Sequence, residues 1–122
     1  MTTVLTICDT CKRPDWDEAT RDTTDGETLA GLVESITTPD GVSVRRVSCL
    51  MGCDHGCNVA IQGADKLTYV LGRFEPVSDA AEAIVEYAGL HAKSETGQVP
   101  FRQWPQGVKG HFVSRIPALP EA

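Results

Sequence analysis

The sequence lacks the features that would place it in a membrane or on a secretory route. No apolar run approaches the roughly 20 residues that a membrane-spanning helix requires. Residues 1–8 carry no basic segment and no long apolar stretch, so we expect no signal peptide. We therefore expect a cytoplasmic protein that does not bind membranes, in a compartment that keeps thiols reduced.

Positive charge is also scarce, and several catalytic motifs are missing. Eleven Lys and Arg residues stand against 17 Asp and Glu residues, which gives a formal net charge of −6. Nucleic acid requires a basic surface, so this balance argues against it as a partner, whereas a basic protein partner is compatible. The sequence contains no glycine-rich phosphate loop, no Ser/His/Asp order and no paired-carboxylate motif. We therefore expect no catalysis by the domain alone.

The cysteines are few but concentrated in two places. The first segment contains Cys8 and Cys11, and the second contains Cys49, Cys53 and Cys57. In a reducing compartment, clustered cysteines indicate metal or redox chemistry before structural disulfides, and an odd number cannot pair completely. Glycines at 52 and 56 interrupt the second segment, where they let the backbone bend and approach a bound group closely.

Hydrophobic periodicity predicts the element order β-α-β-β-β-α. A first helix is predicted from Leu29, Val33 and Ile36, which share one helical face, and its cap from the residues at 24 or 25. A second helix is predicted to begin near Asp79, because Glu82 completes a capping-box pattern three residues later. The predicted strands are residues 3–8, 42–47, 58–62 and 67–71.

The predicted topology brings the two cysteine segments together. A crossover through the first helix makes strands 3–8 and 42–47 parallel, and the following hairpin adds antiparallel strands. Both segments then leave the same edge of the sheet, from strands about 4.8 Å apart. Two loops with close thiols fit a four-thiolate site for Zn²⁺ or for an iron–sulfur cluster, and the spacing leaves this choice open.

Residues 91–122 differ from residues 1–90, which we interpret as the folded domain. The C-terminal segment contains repeated prolines and glycines, yet its aromatic and aliphatic residues are too numerous for a disordered tail. We expect an irregular arm that packs along the domain or against a second subunit.

Residues 3–90 resemble the thioredoxin-like [2Fe-2S] ferredoxins, and within them a branch described as predicted metal-binding proteins. The resemblance is carried by Cys8 after the first strand, the run 49–56 after the second, and Glu75-Pro76-x-x-Asp79 before the last helix. The hairpin at 59–71 adds to it. It implies an α/β, thioredoxin-like fold with a mixed sheet, a [2Fe-2S] cluster, protein redox partners and a homodimer.

The resemblance also implies which thiols bind the cluster. The ligands are Cys8, Cys49 and Cys53, with Cys11 as the fourth and Cys57 as its rival. Two features depart from the ferredoxins. Cys8 and Cys11 are closer in sequence than the two N-terminal ligands usually are, and Cys57 stands where those proteins tend to have a proline.

The same cysteine and histidine residues also fit sites other than a [2Fe-2S] cluster. Zinc would use the same thiolates. Cys8-x-x-Cys11 would also suit a thiol-disulfide oxidoreductase, although that leaves the second segment unexplained. His55 would replace a thiolate only in a Rieske-like arrangement, and such a loop histidine is more often solvated. His91 and His111 have no partner pattern and are expected at the surface.

Overall fold

The computed structural model describes residues 3–19, 22–51 and 56–120. Three residues singled out above, Gly52, Cys53 and His55, lie outside these ranges, so the expectations for them are not addressed by the structure. The elements are β1 (Thr3–Cys8), α1 (Asp25–Glu34), β2 (Val42–Val47), β3 (Val59–Gly63), β4 (Thr68–Leu71), α2 (Ser78–Lys93) and β5 (Phe112–Ile116). Two 3-10 turns, Phe101–Gln103 and Gln106–Val108, lie between α2 and β5.

The strands form one mixed sheet in the order β2-β1-β3-β4-β5. β1 and β2 are parallel, as the α1 crossover predicts, and all other neighbours are antiparallel. The parallel pair is in register to its end, where Cys8 lies opposite Val47. The predicted α/β class is confirmed, and so is the predicted order β-α-β-β-β-α for the elements from β1 to α2.

Both helices lie on the same face of the sheet. α1 and α2 contact each other, and both contact β1. Alternate strand residues point at the helices and are buried, as expected for a sheet covered on one side. The fully buried residues of this core include Leu5, Ile7, Leu29, Val33, Val59, Ile61, Leu71 and Ile84. Within the described ranges, no helix is long and apolar enough to cross a membrane.

The two helices begin differently. Thr24, one of the two predicted caps, caps α1. Its side chain accepts a hydrogen bond from the N–H of Glu27. α2 begins at Ser78 after Val77, whose side chain makes no capping hydrogen bond. The predicted capping box at Asp79 is therefore wrong, since the helix has already begun there. Asp79 instead lies in the first turn, where its charge complements the helix dipole.

The C-terminal segment contains a strand that the sequence analysis did not predict. β5 pairs with β4 and extends the sheet by one strand. Aromatic packing explains its position, because the Phe112 ring lies 4.5 Å from that of Trp104 and 5.6 Å from that of Tyr69. The division into a 1–90 domain and a 91–122 arm stays a prediction.

His91 is buried, so the expectation of a surface residue is wrong. The hydroxyl of Thr3 donates to Nδ1 at 2.7 Å, and Nε2–H donates to the carbonyl of Leu67 at 2.8 Å. These partners satisfy both ring nitrogens of a neutral imidazole, which makes its burial possible. His111 is half-buried, and its ring stacks on Phe74 with centroids 4.3 Å apart.

Candidate metal centre

The two cysteine segments leave the sheet side by side. Beyond the paired ends of β1 and β2, the N–H of Asp9 donates to the carbonyl of Val47 at 2.9 Å. The hydroxyl of Thr10 then donates to the carbonyl of Ser48. These bonds continue the parallel pairing past the strands, so residues 8–11 and 48–51 run along each other.

Cys8 is the thiol best prepared to ionise. Its burial opposes ionisation, but polar contacts with the side chains of Cys11 and Thr10, together with hydrogen bonds from the backbone of Leu50 and of Thr10, hold the pKa of Cys8 below its ordinary value. Leu50 belongs to the second cysteine segment, so both segments act on this sulfur. Because the thiolate is the form that binds metal, this environment favours ligation by Cys8.

Cys11 and Cys57 are held as thiols. Burial, reinforced by the contact with Cys8, raises the pKa of Cys11 to about 12, and its Sγ–H donates to Oδ1 of Asn58 at 3.1 Å. Cys57 is fully buried, and its burial together with the negative charge of Asp25 raises its pKa to about 12. A metal bound by either sulfur must therefore displace a proton.

Cys49 is the exposed member of the set. The N–H of Met51 donates to its Sγ at 3.3 Å, and Met51 adopts a left-handed conformation (φ 58°). Since an amide N–H at a sulfur stabilises a thiolate and tunes a bound cluster, this turn suits Cys49 as a ligand.

The end of the second segment packs directly against the first. A Cβ added at Gly56 would lie 2.9 Å from the carbonyl oxygen of Lys12 and 3.4 Å from Cβ of Cys11. Only glycine permits this approach, which explains one of the two glycines in the segment. The following Gly56–Cys57 peptide bond is cis. Asn58 then accepts a backbone hydrogen bond from the N–H of Cys8 at 3.2 Å.

The N-terminus of α1 closes the other side of the first segment. The N–H of Gly26 donates to the carbonyl of Cys11 at 2.9 Å, and a Cβ at Gly26 would lie 2.1 Å from the carbonyl oxygen of Cys8. The buried carboxylate of Asp25 accepts from the N–H of Arg13 at 2.7 Å. The sequence analysis missed Asn58, Gly26 and Asp25. Only Asn58 gave a signal, as a polar residue that opens an apolar strand.

The structure thus gathers the thiols of Cys8, Cys11 and Cys57 beside the Cys49 turn. In the described part of the chain, no three His, Cys, Asp or Glu side chains already surround a metal-sized position. The chemistry of the donor set nevertheless fits a thiophilic group, because the nearby donors are sulfurs and amide N–H groups point at Cys8 and Cys49. The assignment of individual ligands stays a prediction.

Comparisons with known proteins bear mainly on the fold. The model of the family described as "Protein of unknown function (DUF1636)" matches residues 5–118. No curated protein matches the sequence. Among solved structures, a thioredoxin-like [2Fe-2S] ferredoxin from Aquifex aeolicus matches with a TM-score of 0.51 and 16% identity, over 93% of this chain and 92% of that chain. The match shows the fold alone, and the predicted thioredoxin-like fold is confirmed.

Proposed function

The chain belongs to the DUF1636 family, and we propose that it binds a [2Fe-2S] cluster and passes single electrons between protein partners in the cytoplasm. The observation that carries the proposal is the meeting of the two cysteine segments at one sheet edge. There, hydrogen bonds from both segments favour the thiolate of Cys8. The fold shared with a protein described as a [2Fe-2S] ferredoxin supports the same conclusion.

The proposed ligands are Cys8, Cys11, Cys49 and Cys53. Cys11 is preferred to Cys57 because its side chain contacts that of Cys8, whereas Cys57 is fully buried in the hydrophobic core. On binding, the Cys11 thiol leaves Asn58 and loses its proton. The bound cluster supplies a one-electron couple whose potential depends on hydrogen bonds to sulfur.

A specific observation favours a second function for the first segment. The lowered pKa of Cys8 beside the raised pKa of Cys11 is the asymmetry of a dithiol that exchanges disulfides. In that reaction the Cys8 thiolate attacks a disulfide of the partner and forms a mixed disulfide with one partner sulfur. Cys11 then loses its proton and attacks Sγ of Cys8, which forms the Cys8–Cys11 disulfide and releases the reduced partner. Attack requires access, however, and Cys8 is only 2% exposed. We therefore rank this function below cluster binding.

The test is purification without oxygen, followed by metal analysis and visible spectroscopy. A [2Fe-2S] protein is brown, contains iron and acid-labile sulfide in equal amounts, and bleaches on addition of dithionite. A colourless protein that releases zinc in acid would replace the cluster by a zinc site. A metal-free protein that reduces insulin disulfides would favour the dithiol, and a metal-free protein without that activity would overturn both functions.

A further inference from the structure

β5 is one of the two outer strands of the sheet. β5 pairs with β4 on one side, and within the described ranges no strand pairs with its other side. Residues 113–116 of β5 are exposed. The free N–H and C=O groups of such an edge are a template on which an extended peptide adds as a further strand.

A groove runs along this edge on the helix side of the sheet. Its volume is about 410 Å³, and it lies between β5 and residues 98–104. Tyr69, Trp104 and Phe112 provide aromatic walls, and the ring of Phe101, 63% exposed, lies 4.9 Å from that of Trp104. A groove of this kind beside an open strand accepts the alternate side chains of an added strand.

The charged side chain that lines the groove is basic, and so is Lys109 beside the Phe101 ring, although the chain as a whole is acidic. Residues 96–120 contain Arg102, Lys109 and Arg115 but no Asp or Glu, although the net charge of the chain is −6. Arg115 lines the groove, and Nζ of Lys109 lies 4.7 Å from the ring centroid of Phe101. Among the described residues, ion pairs form at Arg13 and Arg46, and none involves these three cations. No carboxylate of the described residues therefore forms an ion pair with the positive charge at the groove.

We propose that β5 and this groove bind an extended, acidic segment of another protein, which adds to the sheet as a sixth strand. Its apolar side chains enter the aromatic groove, and its carboxylates approach Arg115 and Lys109. A second copy of the chain fits less well, because pairing two β5 strands brings identical cations together. Nucleic acid fits less well because the protein as a whole is acidic. The proposal involves no residue of the cysteine segments, so it stands apart from cluster binding.

The probe is a short acidic peptide with valine, tyrosine and valine at its centre and two acidic residues at each end. It is titrated into the full ¹⁵N-labelled chain and followed by NMR. We expect amide shifts at residues 112–116 and a shift of the Trp104 indole N–H, with a Kd that rises with salt. A peptide with lysines in place of the acidic residues, and one N-methylated at alternate backbone positions, should each bind at least about tenfold more weakly.

Two protein variants test the groove, and a third is their matched control. Arg115→Gln removes the cation on the groove and Phe101→Ala removes the exposed ring, and each should weaken peptide binding about tenfold. Arg45→Gln removes an exposed arginine from β2, at the opposite edge, and should leave the Kd unchanged. Amide spectra of all three variants establish that the fold is retained.

Several results would overturn the proposal. One is the absence of amide shifts at millimolar peptide, and another is a set of shifts centred on β2. A third is binding of the lysine peptide or the N-methylated peptide as tight as that of the acidic peptide. Binding of a single-stranded oligonucleotide through residues 112–116 would assign the surface to nucleic acid instead. Shifts at the same residues on raising the protein concentration without peptide, together with a dimer in sedimentation, would assign it to a second copy of the chain.

Discussion

Sγ of Cys11 lies 3.1 Å from Oδ1 of Asn58, a residue 47 positions further along the chain. The carbonyl of the same asparagine accepts the N–H of Cys8. Asn58 therefore joins the end of the second segment to the first segment, through the thiol of Cys11 and the backbone of Cys8.

The first prediction concerns the ligands. Replacement of Cys8, Cys11, Cys49 or Cys53 by serine should abolish or strongly reduce the visible absorption of the anaerobic protein, because each removes a thiolate from the cluster. The measurement is the absorption spectrum together with the iron content per chain.

Cys57→Ala is the matched control for this series, since it removes a thiol that contacts the core. It should keep the colour while lowering the stability by about 1–2 kcal/mol. A colourless Cys57→Ala protein that is still folded would transfer the fourth position from Cys11 to Cys57.

The second prediction compares two glycines of α1. Gly26→Ala should destabilise the protein by about 2 kcal/mol or more, because the new Cβ would lie 2.1 Å from the carbonyl oxygen of Cys8. Gly31→Ala meets no atom within 4 Å and should stabilise the helix by up to about 1 kcal/mol. Urea unfolding measures both values. Equal changes in the free energy of unfolding for the two substitutions would show that α1 does not pack closely against the cysteine segment.

The third prediction is a pH dependence that arises at His91. Burial, together with the positive charge of Lys66, lowers the pKa of His91, while the bond to the Leu67 carbonyl opposes this shift. The unfolded chain therefore binds a proton more readily than the folded one, so stability is complete above the unfolded pKa and falls as pH drops below about 6.5. Unfolding free energies between pH 7.5 and 5.5 should fall by up to about 1.4 kcal/mol per pH unit.

The control for this dependence is His91→Gln, which keeps a donor and an acceptor but does not titrate in this range. Its stability should vary much less between pH 7.5 and 5.5, even if it is lower throughout. A variant with the wild-type pH profile would assign the dependence to another group.

The fourth prediction concerns Lys66, which is 2% exposed. Its Nζ donates to the carbonyls of His91 and Ala92 at 2.8 and 2.9 Å, at the C-terminus of α2. Lys66→Met keeps most of the buried stem but leaves these carbonyls without their charged donor, which should cost about 2 kcal/mol. Lys93→Met, at an exposed lysine of the same helix end, should change stability by less than about 0.5 kcal/mol. Thermal or urea unfolding distinguishes the two.

The parallel pair and its cysteine edge could be predicted from the sequence. β1 and β2 have the predicted bounds because both are short runs of β-branched residues ended by turns. One right-handed crossover then fixes where Cys8 and Cys49 leave the sheet. The contacts of Asn58 and Gly26 could not be predicted, because they join residues that only the folded chain brings together.

Two other features show where periodicity was insufficient. β5 is held by the rings of Tyr69, Tyr87 and Trp104, which pack around Phe112, and its own five residues give only a weak strand signal. His91 did give a usable signal, because it lies four residues after Tyr87 and seven after Ile84, on the buried face of α2. We nevertheless expected His91 at the surface, because histidine is buried less often than the aliphatic residues.

The first cysteine segment continues directly from β1, which has a neighbouring strand on each side. The first turn of α1 donates a hydrogen bond to a carbonyl group of this segment. A group bound there would be attached to the interior of the protein, with no flexible arm between them. We therefore expect bound iron to raise the melting temperature of the whole protein. Thermal unfolding curves of samples with and without iron should show this shift, and its size should report how far the site is occupied.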